Sequence, residues 1–447
     1  MSKVSRWLPL FFGLLLVAPG ARADNALRWH AQQNQVDADF QTSDLSTLLQ
    51  QIARVTGWEI HVEPGVSNSI AVKFKNLPEN EALRRLLGNL NFAKDRTNGV
   101  TRLFVYSTAQ GAATRLIKEK RDYRMANEGL VMLKHGADTN AFNKLAKKLG
   151  ATVVGHDDRL GLYRLQFPDG ASATTGLQSL LSSSMVAAAE NNFLVDPPAP
   201  VQMAQVPTPA APSGPLFNLN PQPVVNGPIV GLVDTDLNVP SQYQKYMLPP
   251  IDEIGQTGVS SDAPSHGTVM LETMLGAMSS SPSMIQPVIV YGNTDSTTMY
   301  ELTEGLVKAI DAGANPINVS SGGTGNSVIM GSLIQQATQQ GIQIVAAAGN
   351  SGGTGDTYPA AYPGVLAVTA SASNGQLASY ADDGNFVQAM APGTVMVPWN
   401  GLTWMVQGTS PATADVTGTI ADLENVQHLS LPQAVSQVTK TMPPPSR

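Results

Sequence analysis

The sequence predicts an α/β protein in which a doubly wound, mainly parallel sheet follows two small α+β domains. Three observations carry that expectation. From Pro228 onward, continuous apolar runs alternate with helical patterns, as in strands buried on both faces beneath helices. Ahead of them, two shorter stretches each hold their own strands and amphipathic helices. Between the two parts lies a stretch, residues 196–227, with nine prolines, a composition that favours extended chain without a core. The 447 residues leave room for several domains of about 100–200 residues each.

The first residues bear on the compartment. Lys3 and Arg6 precede an apolar run over residues 7–17, and Ala21-Arg22-Ala23 ends in small residues spaced for cleavage. Residues 1–23 therefore read as a secretory signal peptide cut after Ala23. The alternative, an uncleaved anchor, is disfavoured because a spanning helix needs about 20 apolar residues. The expected location is periplasmic or secreted. The chain has no Cys, so neither a disulfide framework nor thiol chemistry is available.

Residues 24–110 are expected to form the first domain. Leu45, Leu48, Leu49, Ile52 and Val55 recur at helical spacing after Ser43, a candidate cap, and Gly57 stops the pattern. Ile70, Val72 and Phe74 alternate as in a strand, Pro78 opens a second helix, and residues 102–106 close the unit as a strand. Residues 113–195 are expected to form the second. Strands at 130–133, 151–154, 162–167 and 185–195 bracket helices at 140–149 and 177–181. That order is ferredoxin-like. In the third domain, residues 228–447, strands are expected at 229–233, 285–290, 317–319, 342–347 and 365–368. Helices are expected at 266–277, 299–312 and 332–340. Ligands on such sheets bind beyond the carboxyl ends of the strands, where Asp234 and Asn350 fall.

Four short segments carry chemistry: Val233-Asp234-Thr235, Ser265-His266-Gly267-Thr268, Ala348-Gly349-Asn350-Ser351 and Gly408-Thr409-Ser410. A neutral hydroxyl is a poor nucleophile and needs a base to take its proton; the base needs a carboxylate to hold it, and the developing oxyanion needs fixed donors. An acid, an imidazole, an amide and a hydroxyl supply those parts. Asp234 would orient His266, the general base and then acid; Ser410 would attack; Asn350 would donate to the oxyanion. Thr409 is a candidate cap that would leave Ser410 at a positive helix end. Taken singly, each segment also reads as a turn or cap.

Together, in the order Asp, His, Asn, Ser, these segments resemble the subtilisin-like serine proteases. The resemblance extends over about residues 229–423. Asn318-Val319-Ser320-Ser321-Gly322-Gly323 is similar to the family's substrate-binding strand, which implies that Ser320, Ser321 and Gly322 bind a peptide as an added strand. Residues 358–368 and Ala389-Met390-Ala391-Pro392-Gly393 are similar to the segments after the oxyanion Asn and before the nucleophile. The departures are Asp236, Val269, Glu272, Pro411 and Asp415, which stand where the family usually has Gly, His, Gly, Met and His. Pro411 biases Ser410 away from helical dihedrals.

Ala189-Glu190-Asn191-Asn192-Phe193 resembles the end of the propeptide domains that precede such enzymes. The resemblance implies an inhibited proenzyme whose residues 113–195 assist folding, with processing in the 196–227 linker. A small interaction domain is the alternative. The first domain, through Thr56-Gly57-Trp58 and residues 78–83, looks like the short N-terminal domain of secretins and outer-membrane receptors, which implies an envelope partner. The overall expectation is an exported serine endopeptidase acting on protein or peptide substrates. Its alternative is a catalytically impaired binding module on the same scaffold. A lipase or esterase lacks its Gly-x-Ser-x-Gly elbow here.

No cofactor is implied, and no Asp-rich loop has calcium-ligand spacing, so no metal is assigned. Residues 228–447 hold 16 acidic and 4 basic residues, against 18 and 20 in residues 24–227. The acidic third domain disfavours nucleic acid as a partner and complements the region before it.

Overall fold

The structure is a computed structural model. It describes residues 26–446 except 31–33, 64–65, 67, 98–99, 114, 118–123, 196–201, 207–220, 225, 256–262, 279 and 293–296. The predicted signal peptide and most of the Pro-rich linker lie outside the described residues. Those described fall into two units, 26–117 and 124–446.

The first unit runs β1 (Ala26–His30), β2 (Gln35–Asp44), α1 (Leu45–Thr56), β3 (Glu59–Val62), β4 (Ser69–Pro78), α2 (Glu79–Leu87), β5 (Asn91–Thr97), β6 (Val100–Tyr106) and β7 (Arg115–Ile117). Both predicted helices are present. Asp44, rather than Ser43, caps α1, its carboxylate accepting from Thr47 N at 2.8 Å. Two sheets, β1-β2-β4 and β5-β6-β3-β7, enclose a core that includes Leu48, Leu49, Ile52, Leu83 and Leu86. The strand β7 completes the second sheet by pairing antiparallel with β3.

The second unit opens with β8 (Arg124–Leu133), α3 (Thr139–Lys148), β9 (Thr152–Asp157), β10 (Leu162–Gln166), α4 (Gly170–Leu181) and β11 (Val186–Val195). The strand order β11-β8-β10-β9, antiparallel throughout, is the ferredoxin-like arrangement expected. Helix α4 begins earlier than its apolar pattern shows because the Asp169 carboxylate accepts from Ser172 N at 2.7 Å. One face of the sheet packs on α3 and α4 around Phe142, Tyr163, Phe167 and Leu177. From the other, Leu130, Met132 and Leu162 join the core of the larger domain.

That domain contains β12 (Gln202–Val206), β13 (Ile229–Thr235), β14 (Ile251–Asp252), α5 (His266–Ala277), β15 (Met284–Tyr291), β16 (Thr297–Thr298), α6 (Met299–Asp311), β17 (Ala314–Val319), α7 (Val328–Gln339), β18 (Ile344–Ala347), β19 (Val365–Ser371), β20 (Val387–Pro392), β21 (Thr394–Trp399), β22 (Leu402–Gln407), α8 (Thr409–Gln427) and α9 (Leu431–Thr441). Seven strands in the order β14-β15-β13-β17-β18-β19-β20 form a wholly parallel sheet. All five predicted strands belong to it. Helix α7 starts before the predicted 332 because Ser327 caps it, accepting from Met330 N at 3.0 Å.

The Pro-rich stretch is not featureless. Its residues 202–206 form β12, which pairs antiparallel along β22 from Gln202↔Gln407 to Val206↔Thr403. Met203, Ala204, Gln205 and Val206 carry no proline, so each backbone N–H remains able to join a ladder.

Candidate active site

Asp234 stands near the end of β13, flanked in the sheet by β15 and β17. A buried run, Val230 to Val233, anchors the strand and delivers the carboxylate to the sheet's edge. His266 is the first residue of α5. Ser265 caps that helix, its hydroxyl accepting from Thr268 N at 3.2 Å. The helix start is held on the strand end: Gly267 N donates to Thr235 Oγ1 at 2.9 Å. A Cβ on Gly267 would stand 2.6 Å from Thr235 O, so only glycine permits this approach. The result brings His266 Nδ1 to 2.7 Å from Asp234 Oδ1. Asp234 is buried and the His266 side chain is only partly exposed, and an imidazole so placed is oriented through one nitrogen, leaving the other for chemistry. Among the described residues, His266 Nε2 is buried without a hydrogen-bond partner.

Ser410 is the second residue of α8. Gly408, rather than Thr409, is the N-cap, because Thr409 already has helical backbone and its hydroxyl is engaged elsewhere. Pro411 lies in the same first turn. The bias it imposes on Ser410 does not prevail: a first-turn residue has no intrahelical N–H bond to lose, and its fixed φ suits the helix. The Ser410 hydroxyl donates to Ser320 O at 3.3 Å, and Ser320 Oγ donates to Ser410 O at 3.3 Å. The expected bond from Ser410 to His266 is therefore not formed in this structure. Nucleophile–base bonds are often long or open before substrate arrives.

Asn350 follows β18. Its Oδ1 accepts from Thr409 N at 2.8 Å and Thr409 Oγ1 at 3.0 Å. Thr409, the residue next to Ser410, thus holds the amide through both its main chain and its side chain. A Cβ on Gly408 would lie 3.3 Å from Asn350 Nδ2, so the amide nitrogen faces the start of α8. The links behind Ser320 have no local signal in the sequence, because together they join residues of β17 to α8. Asn318 Nδ2 donates to Ser320 Oγ at 2.9 Å, and Thr417 Oγ1 donates to Asn318 Oδ1 at 3.1 Å. All are buried, and such a chain ties β17 to α8 behind the serine. Thr417 lies about two helical turns beyond Ser410, and only the folded helix brings it to β17.

Ser320, Ser321 and Gly322 follow β17. Ser321 is buried, and a Cβ on Gly322 would meet Thr357 Cγ2 at 2.7 Å and Tyr358 O at 3.1 Å. Beside them, Gly323 and Tyr358 exchange backbone bonds at 2.9 and 2.8 Å. The end of the ferredoxin-like sheet reaches this region. Leu194 and Val195 pair antiparallel with Thr298 and Thr297, and a Cβ on Gly323 would lie 3.4 Å from Leu194 O. Val195 is wholly buried. Glu190 Oε2 accepts from Val328 N at 2.7 Å, and Glu190 Oε1 accepts from Ser327 Oγ, so this glutamate meets the start of α7. Arg164 pairs with Glu301 at 2.6 Å, Arg159 pairs with Asp311, and Asn192 Oδ1 accepts from Tyr300 N at 3.3 Å. The charge complementarity expected from composition is realised in those two ion pairs.

The departures noted in the sequence have definite places. Asp236 Oδ1 accepts from Leu237 N at 2.8 Å, holding the turn after β13. Glu272 and Asp415 line a cavity of about 280 Å³ with Thr273, Met396 and other residues of α5 and β21. Burial pushes Glu272 up to about 8 and Asp415 up to about 6. No group of three or more His, Asp or Glu side chains suited to a metal ion occurs among the described residues.

Comparison with known proteins follows the same division. Residues 225–442 match the Subtilase family, and residues 111–192 match the fervidolysin N-terminal prodomain. Subtilisin amylosacchariticus of Bacillus subtilis subsp. amylosacchariticus is 34% identical over 179 residues, 37% of this chain and 47% of that protein. Subtilisin DY of Bacillus licheniformis is 30% identical over 227 residues, 47% of this chain and 82% of that protein. The chain spans about half the length of the first curated relatives it matches. Among solved structures, fervidolysin from Fervidobacterium pennivorans has a TM-score of 0.53 at 21% identity, covering 68% of this chain and 55% of that one. The epidermin leader peptide processing serine protease of Staphylococcus aureus has a TM-score of 0.52 at 16% identity, covering 69% of this chain and 91% of that one. At these identities the two structures share the fold.

Proposed function

The chain belongs to the subtilase family, and from that membership we propose that it is an exported serine endopeptidase made as an inhibited proenzyme. The observation that carries the reading is the 2.7 Å contact of Asp234 with His266, whose second nitrogen is buried and open. A base so held is ready to take a proton.

In the proposed reaction the Ser410 hydroxyl leaves Ser320 O by rotation about its Cα–Cβ bond and turns to His266 Nε2. Its oxygen attacks the scissile carbonyl carbon while the proton passes to His266. The carbonyl π pair moves to oxygen, where Asn350 Nδ2 and the Ser410 N–H stabilise it. Collapse expels the amine, which takes the proton from His266, and leaves an acyl group on Ser410. Water then attacks the ester with His266 again as base, releasing the acid and restoring the hydroxyl. Asp234 keeps the imidazole oriented and supports its charge. Ser320, Ser321 and Gly322 would bind the peptide beside the strand position that Leu194 and Val195 take in this structure. Residues 113–195 are the inhibitory leader in this reading, residues 196–227 hold the processing site, and residues 1–23 direct export. The substrate is a protein or peptide.

A fluorophosphonate probe tests the nucleophile. Labelling of Ser410 in the processed protein, lost in Ser410→Ala, is expected; labelling that is absent, or that persists in the variant, refutes the assignment. A second reading rests on the Ser410 hydroxyl being turned to Ser320 O: a non-catalytic envelope binding module on the same scaffold, docking through residues 24–110. Self-processing of the wild type that Ser410→Ala abolishes would eliminate it. Co-purification with an outer-membrane partner, independent of Ser410 and without processing, would favour it.

A further inference from the structure

Asp382 has no part in the sequence pattern, yet it organises the loop that carries Asn350. It lies between β19 and β20 and is 3% exposed. One oxygen, Oδ1, accepts three bonds: from Ser351 N at 3.0 Å, Ser351 Oγ at 2.7 Å and Gly353 N at 2.7 Å. Its backbone N–H donates to Gly349 O at 2.9 Å. Asp382 therefore grips the residue before Asn350 through main chain and the residue after it through side chain. Its own carbonyl is held by Thr369 Oγ1 at 2.6 Å, from β19, so the grip is referred to the central sheet.

Gly349 makes this possible in two ways. Its φ of +115° lies in the region that favours glycine. A Cβ there would also stand 2.3 Å from Asp382 Oδ2. The backbone is open where the carboxylate must enter. Beyond the loop, Asn350 Oδ1 is engaged by Thr409. The amide is thus fixed at its root by Asp382 and at its tip by the residue next to Ser410.

We infer that Asp382 is a positioning residue for the oxyanion donor Asn350, acting through the 349–353 loop. The inference rests on the catalytic reading of Asn350 given above. Preorganised donors stabilise an oxyanion because they need no reorganisation as charge develops, and small displacements forfeit that advantage. A buried carboxylate accepting several N–H groups is suited to hold such a loop, because charge-assisted bonds are short and strong.

The test is a double-variant cycle on the processed protein with a peptide substrate, fold integrity being checked by thermal melting. Asn350→Ala is expected to lower kcat by about 10²–10³-fold with little change in KM. Asp382→Ala is expected to lower kcat by about 10–10²-fold, again with KM nearly unchanged. Asp382→Asn keeps an acceptor oxygen and should recover most of that loss. In the Asn350→Ala background, Asp382→Ala should cost little more, because the group it positions is gone. Losses that multiply, or a loss confined to KM, would overturn the inference.

A measurement without turnover separates its failure from that of the catalytic reading. The side-chain amide resonances of Asn350, observed in the Ser410→Ala protein, should shift in Asp382→Ala and return towards the parent in Asp382→Asn. Unchanged resonances overturn the positioning role even if the enzyme is active. Shifted resonances, together with a processed parent protein that hydrolyses nothing with Ser410 intact, uphold the positioning of Asn350 while refuting its catalytic use.

Discussion

Glu272 is a carboxylate in the wall of α5, 2% exposed, whose oxygens make no bond at normal hydrogen-bond distance among the described residues. The neighbouring Tyr243 hydroxyl offsets its burial only in part, and the group is pushed from an ordinary 4.5 up to about 8. In the folded state it keeps a proton that the unfolded chain has already lost. Stability therefore falls as pH rises from about 4.5 to about 8, by up to about 1.4 kcal/mol per pH unit from this group alone. Glu272→Gln should remove that slope and be more stable than the parent at about pH 8, with little difference at about pH 4. Melting curves across that range check it, and an unchanged slope in Glu272→Gln would refute it. The position of Glu272 on an apolar helix was legible in the sequence. Its burial was not, because helical spacing gives the face of a residue but not what covers that face.

Helix α7 illustrates how one element serves another. Ser327 caps it internally, while Glu190 from β11 accepts from Val328 N and Ser327 Oγ. A carboxylate at a helix start meets unpaired N–H groups and the positive end of the dipole. Burial raises the pKa of Glu190 and those bonds oppose the rise. Glu190→Ala should weaken the attachment of residues 124–195 by about 1–2 kcal/mol. The loss would appear as faster hydrogen exchange in β8 and β11 of Ser410→Ala protein, with α7 itself still formed. Equal exchange with and without Glu190 would contradict it. The helix was foreseen from its apolar spacing; its earlier start depends on Ser327, and its outside partner lies 137 residues away from that serine. Such separation leaves no local trace.

Across the second unit, the ferredoxin-like sheet and the parallel-sheet domain share one apolar core, but a cluster of acids lies at the same junction. Glu304 on α6 is pushed up to about 7 by burial first and then by Asp157 and Glu253, while Lys308 and Arg159 pull the other way; Tyr300 lies close by. Asp157 belongs to β9, across the junction. Separation would remove that neighbour and part of the burial, lowering the pKa of Glu304. Proton release and separation are therefore linked, and raising pH through about 7 should loosen the leader. In Ser410→Ala protein, limited proteolysis of residues 124–195 should quicken between about pH 6 and pH 8, and Glu304→Gln should flatten that dependence. A profile that is the same in Glu304→Gln would refute the linkage.

What the linear chain decided by itself was periodic and chemical: apolar runs long enough for buried strands, the ferredoxin-like order, and four segments able to supply an acid, a base, a donor and a hydroxyl. These follow from side-chain type and spacing, which act locally. Only the tertiary structure decided which of those groups meet. It brought Asp234 to His266, turned the Ser410 hydroxyl towards Ser320 O, seated Leu194 and Val195 beside β16, laid part of the Pro-rich stretch along β22, and recruited Asp382 to the Asn350 loop. Each of these depends on contacts between segments remote in sequence, whose geometry is set by the packing of the whole sheet and its helices.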